Sequence, residues 1–212
     1  MQISSLRPIA IGAAIFGLTF GTAQVAFANE GGDWLVRAGG SLIQPKSDNG
    51  SLDIGPGAPV SVDSQWGFTF NVSYFFTPNV AVELLGAYPY QHDFTVSLGN
   101  ARINGHVDQL PPTLSVQYHF LPEGRIRPYV GVGVNYTMFD NAHLDAPVNV
   151  RFDDSTGLAL DGGIDFGIND HWLVNLDFRY IHLTTDTHLA GSDVGTVDVD
   201  PFVYGINVGY RF

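Results

Sequence analysis

Apolar side chains fall on every second position in eight separate stretches of this chain. The last is the plainest. In Phe202–Phe212 the residues Phe202, Tyr204, Ile206, Val208, Tyr210 and Phe212 share one face, and Val203, Gly205, Asn207, Gly209 and Arg211 share the other. The same alternation runs through 34–42, 66–76, 80–88, 114–120, 130–136, 158–168 and 172–180. A period of two predicts β-strands with unlike faces. Short polar links join some pairs, around 77–79, 121–125 and 169–171. Long links rich in Asp, Asn, Gly and Pro join the others, over about 44–61, 91–105, 140–155 and 184–198. An even number of strands with one tight end and one loose end predicts an all-β, antiparallel up-and-down barrel.

The composition decides which face points outward. Eight strands enclose a space that side chains just fill. The apolar face carries up to six large residues per strand, too bulky for that space; the other face is mostly Gly, Ser, Asn and Ala. The apolar face therefore points out, and its surroundings are lipid. A closed barrel is the β arrangement that pairs every backbone group in hydrocarbon. Aromatics near strand ends, including Trp34, Tyr74, Phe76, Tyr118, Phe120, Trp172, Tyr180, Tyr210 and Phe212, predict girdles at the lipid–water boundaries. Charged residues make up only 14% of the chain, against about a quarter in a soluble domain. The net charge of −12 argues against nucleic acid, which needs a basic footprint.

The amino terminus predicts export. Arg7, an apolar run over 9–20 and Ala26-Phe27-Ala28 form a signal peptide over residues 1–28, leaving 29–212 as the barrel domain. The apolar run falls short of the roughly 20 residues a spanning helix needs. There is no cysteine, hence no disulfide and no thiolate metal site.

Four stretches carry more than a pattern: "GDWLVRAGGS" after the cleavage site, "LLGAYPYQHDF" at 84–94, "LPPTLSVQYHFLPEGRIRPYVGVGVNYTMF" at 110–139 and the ending "VGYRF". Together they resemble the OmpW family of small outer-membrane proteins over nearly the whole mature chain. The core over 114–134 is also similar in style to the family's alkane-uptake member. The resemblance implies an eight-stranded transmembrane barrel with short periplasmic turns and four long extracellular loops in a Gram-negative outer membrane. It implies lipid and lipopolysaccharide as surroundings, and a hydrophobic channel that takes up small apolar solutes. The terminal Phe212 resembles the signature by which the barrel-assembly machinery recognises such chains.

The inward phase holds a cluster of charges: Arg37, Arg179 and Arg211 against Glu83, Asp161, Asp165 and Asp177, with His119 able to side with either. All lie within several residues of a short turn, so they should form one layer in the periplasmic half. Buried charges must pair. The layer reads as a plug that denies a straight water-filled pore, or as a salt-bridge network that simply fills the barrel. Either way, a solute entering from outside must leave sideways. Pro89 and the pair Pro111-Pro112 bear on the exit. Proline gives no N–H to a ladder, and inside a sheet it marks a break. With the intervening loop centred on Gly99-Asn100, residue i faces 200 − i and position 89 faces 111. That reads as a lateral window, or as the place where the strands end and the loop begins. The resemblance favours the window, because Pro89 matches a family proline associated with such an opening. Phe139, Ile181 and Val203, apolar and in inward phase above the charges, are candidate pocket lining.

Two other chemistries find less support. Loop histidines His92, His106, His143 and His188 lie near Asp93, Asp108 and Asp186 without a recurring ligand spacing. No metal or cofactor is expected. His182 and Thr184 at the outer rim lack a serine and an evident carboxylate partner, so no enzyme is expected. The sequence thus predicts a passive channel for small hydrophobic molecules, with a polar plug and lateral release. The alternative is a structural barrel whose loops bind a partner.

Overall fold

The computed structural model describes residues 28–212. The expected signal peptide lies outside the described residues apart from Ala28. All regular structure among them is β. Numbered along the chain, the barrel strands are β1 (Trp34–Gln44), β4 (Gln65–Phe75), β5 (Val80–Ala87), β8 (Thr113–His119), β9 (Ile126–Leu144), β11 (Ser155–Gly167), β12 (Trp172–Ile181) and β15 (Phe202–Arg211). Each pairs antiparallel with the next, and β15 closes on β1 from Leu35↔Arg211 to Gln44↔Phe202. The barrel is eight-stranded and closed, as the alternation predicts.

The two faces divide as expected. Phe68, Val132 and Ile206 on the outer face are 54%, 51% and 62% exposed, while Arg37, Glu83 and Arg179 on the inner face are fully buried. Exposed apolar area on this scale is foreign to a monomer in water; in a bilayer it is the contact surface. Rings pack along both boundaries. Trp34–Tyr74, Trp172–Tyr210 and Tyr210–Phe212 meet at 5.0, 4.9 and 4.8 Å around the short turns. Phe178, Tyr180 and Phe202 meet at 5.2 to 5.6 Å at the other end.

The long connections are not open loops. They fold into a crown of seven further strands: β2 (Ser51–Leu52), β3 (Ala58–Val62), β6 (Tyr90–Leu98), β7 (Ala101–Leu110), β10 (Val150–Phe152), β13 (Thr184–Leu189) and β14 (Ser192–Asp198). β9 belongs to both parts. Its lower half pairs with β8 and β11, and 138–144 pairs with β7. The crown holds the main apolar core, built on Leu52, Val60, Phe94, Val107, Leu144 and Val197. The molecule is thus polar inside the barrel and apolar inside the crown. The β6–β7 register also differs from the expected one. Leu98↔Ala101 brackets a two-residue turn, so residue i faces 199 − i and Pro89 stands level with Leu110. Below the prolines the rule becomes 198 − i, from Leu85↔Thr113 to Val80↔Tyr118. One residue of slippage separates barrel from crown.

Candidate functional site: a charged floor, an apolar lumen and a break in the ladder

The barrel floor is a bonded network of charges. Glu83 on β5 bridges two arginines: Arg37 Nη1 donates to its Oε2 and Arg179 Nη2 to its Oε1, both at 2.9 Å. Arg37 also grips Asp165 bidentately, at 3.1 and 2.7 Å. Asp177 lies 3.6 Å from Arg179 and accepts from the Tyr129 hydroxyl at 2.8 Å. Asp161 accepts from Gln117 at 2.7 Å. Arg37, Glu83, Asp165 and Arg179 have no solvent exposure. Such a cluster survives burial only because its members are mutually paired and hydrogen-bonded.

Seven of the eight candidate plug residues therefore meet within the barrel. His119 joins through rings and through Gln117: it stacks on Tyr129 at 4.9 Å and donates to Gln117 Oε1 at 3.2 Å. Arg211 does not join. It sits at the periplasmic rim, donating to the carbonyls of Ala28 and Asp170. It shares the inward phase, but the strand has already passed the charged layer. The sequence reading also missed Tyr129, Arg127, Gln117, Asn175, Ser73 and Ser115. Tyr129 and Arg127 stand on β9 in inward phase, Arg127 directly opposite Asp165, so alternation alone could have found them. Tyr129 fits because position 163 is glycine: a Cβ there would lie 2.5 Å from its hydroxyl.

Above the floor the lumen turns apolar. Three small cavities follow one another. The outermost, about 40 Å³, is lined by Leu52, Leu98, Ile103, Phe152 and Leu189. The middle one, about 20 Å³, lies among Val62, Val107, Phe139 and Val199. Val60, Phe94, Phe152 and Val197 border both. The lowest, also about 20 Å³, lies among Tyr90, Pro111, Ile181, Leu183 and Val203, directly over Asp177 and Arg179. Gln109 borders the middle and lowest cavities. The outermost slightly exceeds the roughly 30 Å³ that one water occupies in the liquid, and the other two fall below it. The three candidate lining residues thus sit on cavities, Ile181 and Val203 on the lowest and Phe139 on the middle one.

The prolines mark a break in the hydrogen-bond ladder beside the lowest cavity. The β5–β8 ladder stops at Leu85↔Thr113 and the β6–β7 ladder starts at Tyr90↔Gln109. Between them, residues 86–89 face 110–112 without a ladder pair. On the other flank, the β4–β5 ladder stops at Thr69↔Ala87 and the β3–β6 ladder starts at Val62↔Phe94. A single bond, Tyr88 N to Phe68 O at 3.0 Å, extends the lower ladder. Pro89 is exposed on the outer side and Pro111 is buried on the inner side. Pro112 is half-buried, and its carbonyl accepts from Tyr136 N at 2.9 Å, which ties this side of the break to β9. The Tyr90 ring lies across the inner side, over Gly67, where a Cβ would fall 2.5 Å from it.

The histidines are dispersed. His106 and His143 pair across β7 and β9 with rings 5.2 Å apart, and His188 contacts Asp153 at 3.0 Å. Among the described residues no three His, Asp or Glu side chains gather as a metal site. His182 does have a carboxylate neighbour, Asp200, at 2.9 Å. That contact joins elements 18 residues apart and was not legible from local spacing.

Comparison with known proteins agrees with this architecture. The OmpW family model matches residues 30–212. The chain is 38% identical to outer membrane protein W of Salmonella typhimurium over 210 residues, 94% of this chain and 97% of that one. It is 30% identical to outer membrane protein AlkL of Ectopseudomonas oleovorans over 231 aligned positions, all of both chains. The crystal structure of OprG from Pseudomonas aeruginosa superposes with a TM-score of 0.78 at 32% identity, covering 87% of this chain and 98% of that one. With its closed eight-stranded barrel and a match over nearly its whole length, this chain belongs to the OmpW family of outer-membrane proteins.

Proposed function

We propose that the barrel is a passive conduit by which small hydrophobic molecules cross the outer leaflet and leave sideways into the membrane. One observation carries this reading. The apolar lumen ends on a bonded floor of charges at the height where the wall's hydrogen-bond ladder lapses. An apolar solute gains nothing by entering that floor, since it would break ion pairs that burial has made costly to separate. The break offers hydrocarbon instead. The cavities are small, so passage requires the crown walls to part, and Tyr90 is the side chain that must swing from the break. The exposed ring of Phe212, 70% accessible while its N–H donates to Trp34 O at 2.9 Å, supports reading it as the signal recognised during barrel assembly.

The test is uptake of a medium-chain alkane derivative by cells lacking their own version. Three samples are compared at matched levels of heat-modifiable, folded protein: none, the wild type, and Pro89→Ala/Pro111→Ala. Uptake by the wild type that falls in the double variant supports the conduit with a side exit. Equal uptake by both keeps the conduit and discards the prolines as its exit. No gain over cells without the protein refutes the conduit and favours a barrel whose crown binds a partner.

A further inference from the structure

Two buried polar atoms around the apolar cavities lack a hydrogen-bond partner among the described residues: Thr187 Oγ1 at the outermost cavity, and His92 Nε2 further down. His92 lies on β6 in the same phase as Tyr90 and Phe94, between the residue that borders the lowest cavity and the one that borders the middle cavity. It is 1% exposed. Its Nδ1 lies 3.1 Å from the carbonyl oxygen of Asp63. A carbonyl only accepts, so Nδ1 carries the proton, and in the neutral ring Nε2 is then an acceptor. Burial holds the His92 pKa below its ordinary value, outweighing the Asp63 carbonyl and the nearby Asp93 and Asp63 charges. Nε2 is buried and has no hydrogen-bond partner. Diagonally across the β6–β7 ladder, where His92 pairs with Val107 and Tyr90 with Gln109, the Gln109 side chain is 5% exposed and borders both cavities.

A buried acceptor left unpaired loses its hydration without replacement. A plain hydrocarbon passing this point leaves the atom unpaired. A solute with an apolar tail and one hydroxyl at its end satisfies it. We propose that His92 Nε2, with the Gln109 carboxamide diagonally across the ladder, is a recognition point for the hydroxyl head of an otherwise apolar solute, such as a medium-chain primary alcohol. This deepens the conduit reading by naming the class of solute the lumen prefers.

The test uses the full barrel in lipid nanodiscs with ¹⁵N-labelled histidine, titrated with octan-1-ol and separately with octane. Octanol should shift the His92 Nε2 resonance by donating a hydrogen bond, and octane should not. His92→Phe should lower the octanol-to-octane affinity ratio about fivefold to tenfold, the worth of one hydrogen bond to a buried acceptor. No octanol-specific shift in the wild type overturns the site and assigns Nε2 to water. That readout stands even where the variant does not fold. An octanol shift in a protein that promotes no uptake supports the site and refutes the conduit, so the two readings fail separately.

Discussion

Glu83 is where the floor of the barrel is most exposed to a single change. Its Oε1 takes Arg179 Nη2, and its Oε2 takes Arg37 Nη1 at 2.9 Å and the Ser73 hydroxyl at 3.1 Å. Glu83→Gln keeps the shape. It also turns one carboxylate oxygen into an NH₂ that faces guanidinium donors. Two fully buried arginines lose their shared counter-charge, and Asp165 and Asp177 remain as their partners. Removing one member of a buried pair costs about 3–5 kcal/mol. At about 4 kcal/mol the unfolding constant rises roughly a thousandfold. The assay is urea unfolding in lipid vesicles, followed by tryptophan fluorescence and the loss of heat-modifiable migration. A companion, Glu83→Leu/Arg179→Met, removes opposite charges together and should lose less than Glu83→Gln, because replacing a whole buried pair by apolar groups is often near neutral. A loss below about 1 kcal/mol for Glu83→Gln would place the cluster in the range of solvent-screened surface pairs. The floor would then be wet, and an apolar solute would meet no sealed layer that turns it sideways.

Three further outcomes are expected. Gly163→Val sets a Cβ 2.5 Å from both the Tyr129 hydroxyl and Leu176 O, and should cost about 1–3 kcal/mol in the same unfolding assay; a neutral result would mean Tyr129 packs elsewhere. Tyr90→Ala removes the ring lying over Gly67 at the break and should speed uptake of an apolar probe several-fold, while slower uptake would make the ring a guide instead of a barrier. Asp200 is above the barrel rim; burial raises its pKa, but hydrogen bonds from the Leu183 amide, Lys46 and His182 outweigh this and hold it below the ordinary value. Its contribution is therefore complete above the unfolded-state value of about 3.9 and is lost as pH falls through the lower folded value. Amide exchange at Leu183 should be slower in the wild type than in Asp200→Asn near neutral pH, and that difference should vanish only in acid below that value; a difference independent of pH would refute the linkage.

The barrel was legible because it is specified by local pattern. Alternation along single strands fixes which side chains face lipid, and eight such strands with alternating short and long links leave one closed arrangement. The inward charges were legible for the same reason. Arg211 was misplaced because phase says which face a residue takes but not how far along the axis it lies. The register of β15 against β1 decides that, setting Arg211 opposite Leu35 at the rim and Arg37 opposite Gly209 inside. The crown was hidden for a different reason. Several of its strands are short and interleaved with Asp, Asn and Gly, and some pair across long sequence distances, as β10 does with β13 and β3 with β6.

The sequence by itself determined a lipid-facing barrel, its two aromatic girdles and a charged interior, since side-chain alternation and chain composition are local properties that hydrocarbon and water sort directly. Only the tertiary structure decided the pairing of Glu83 with both arginines, the apolar core of the crown, the lapse of the ladder beside Pro89 and the unpaired nitrogen of His92. Each depends on which distant strands meet and at what register, and a shift of one residue moves a side chain to the other face.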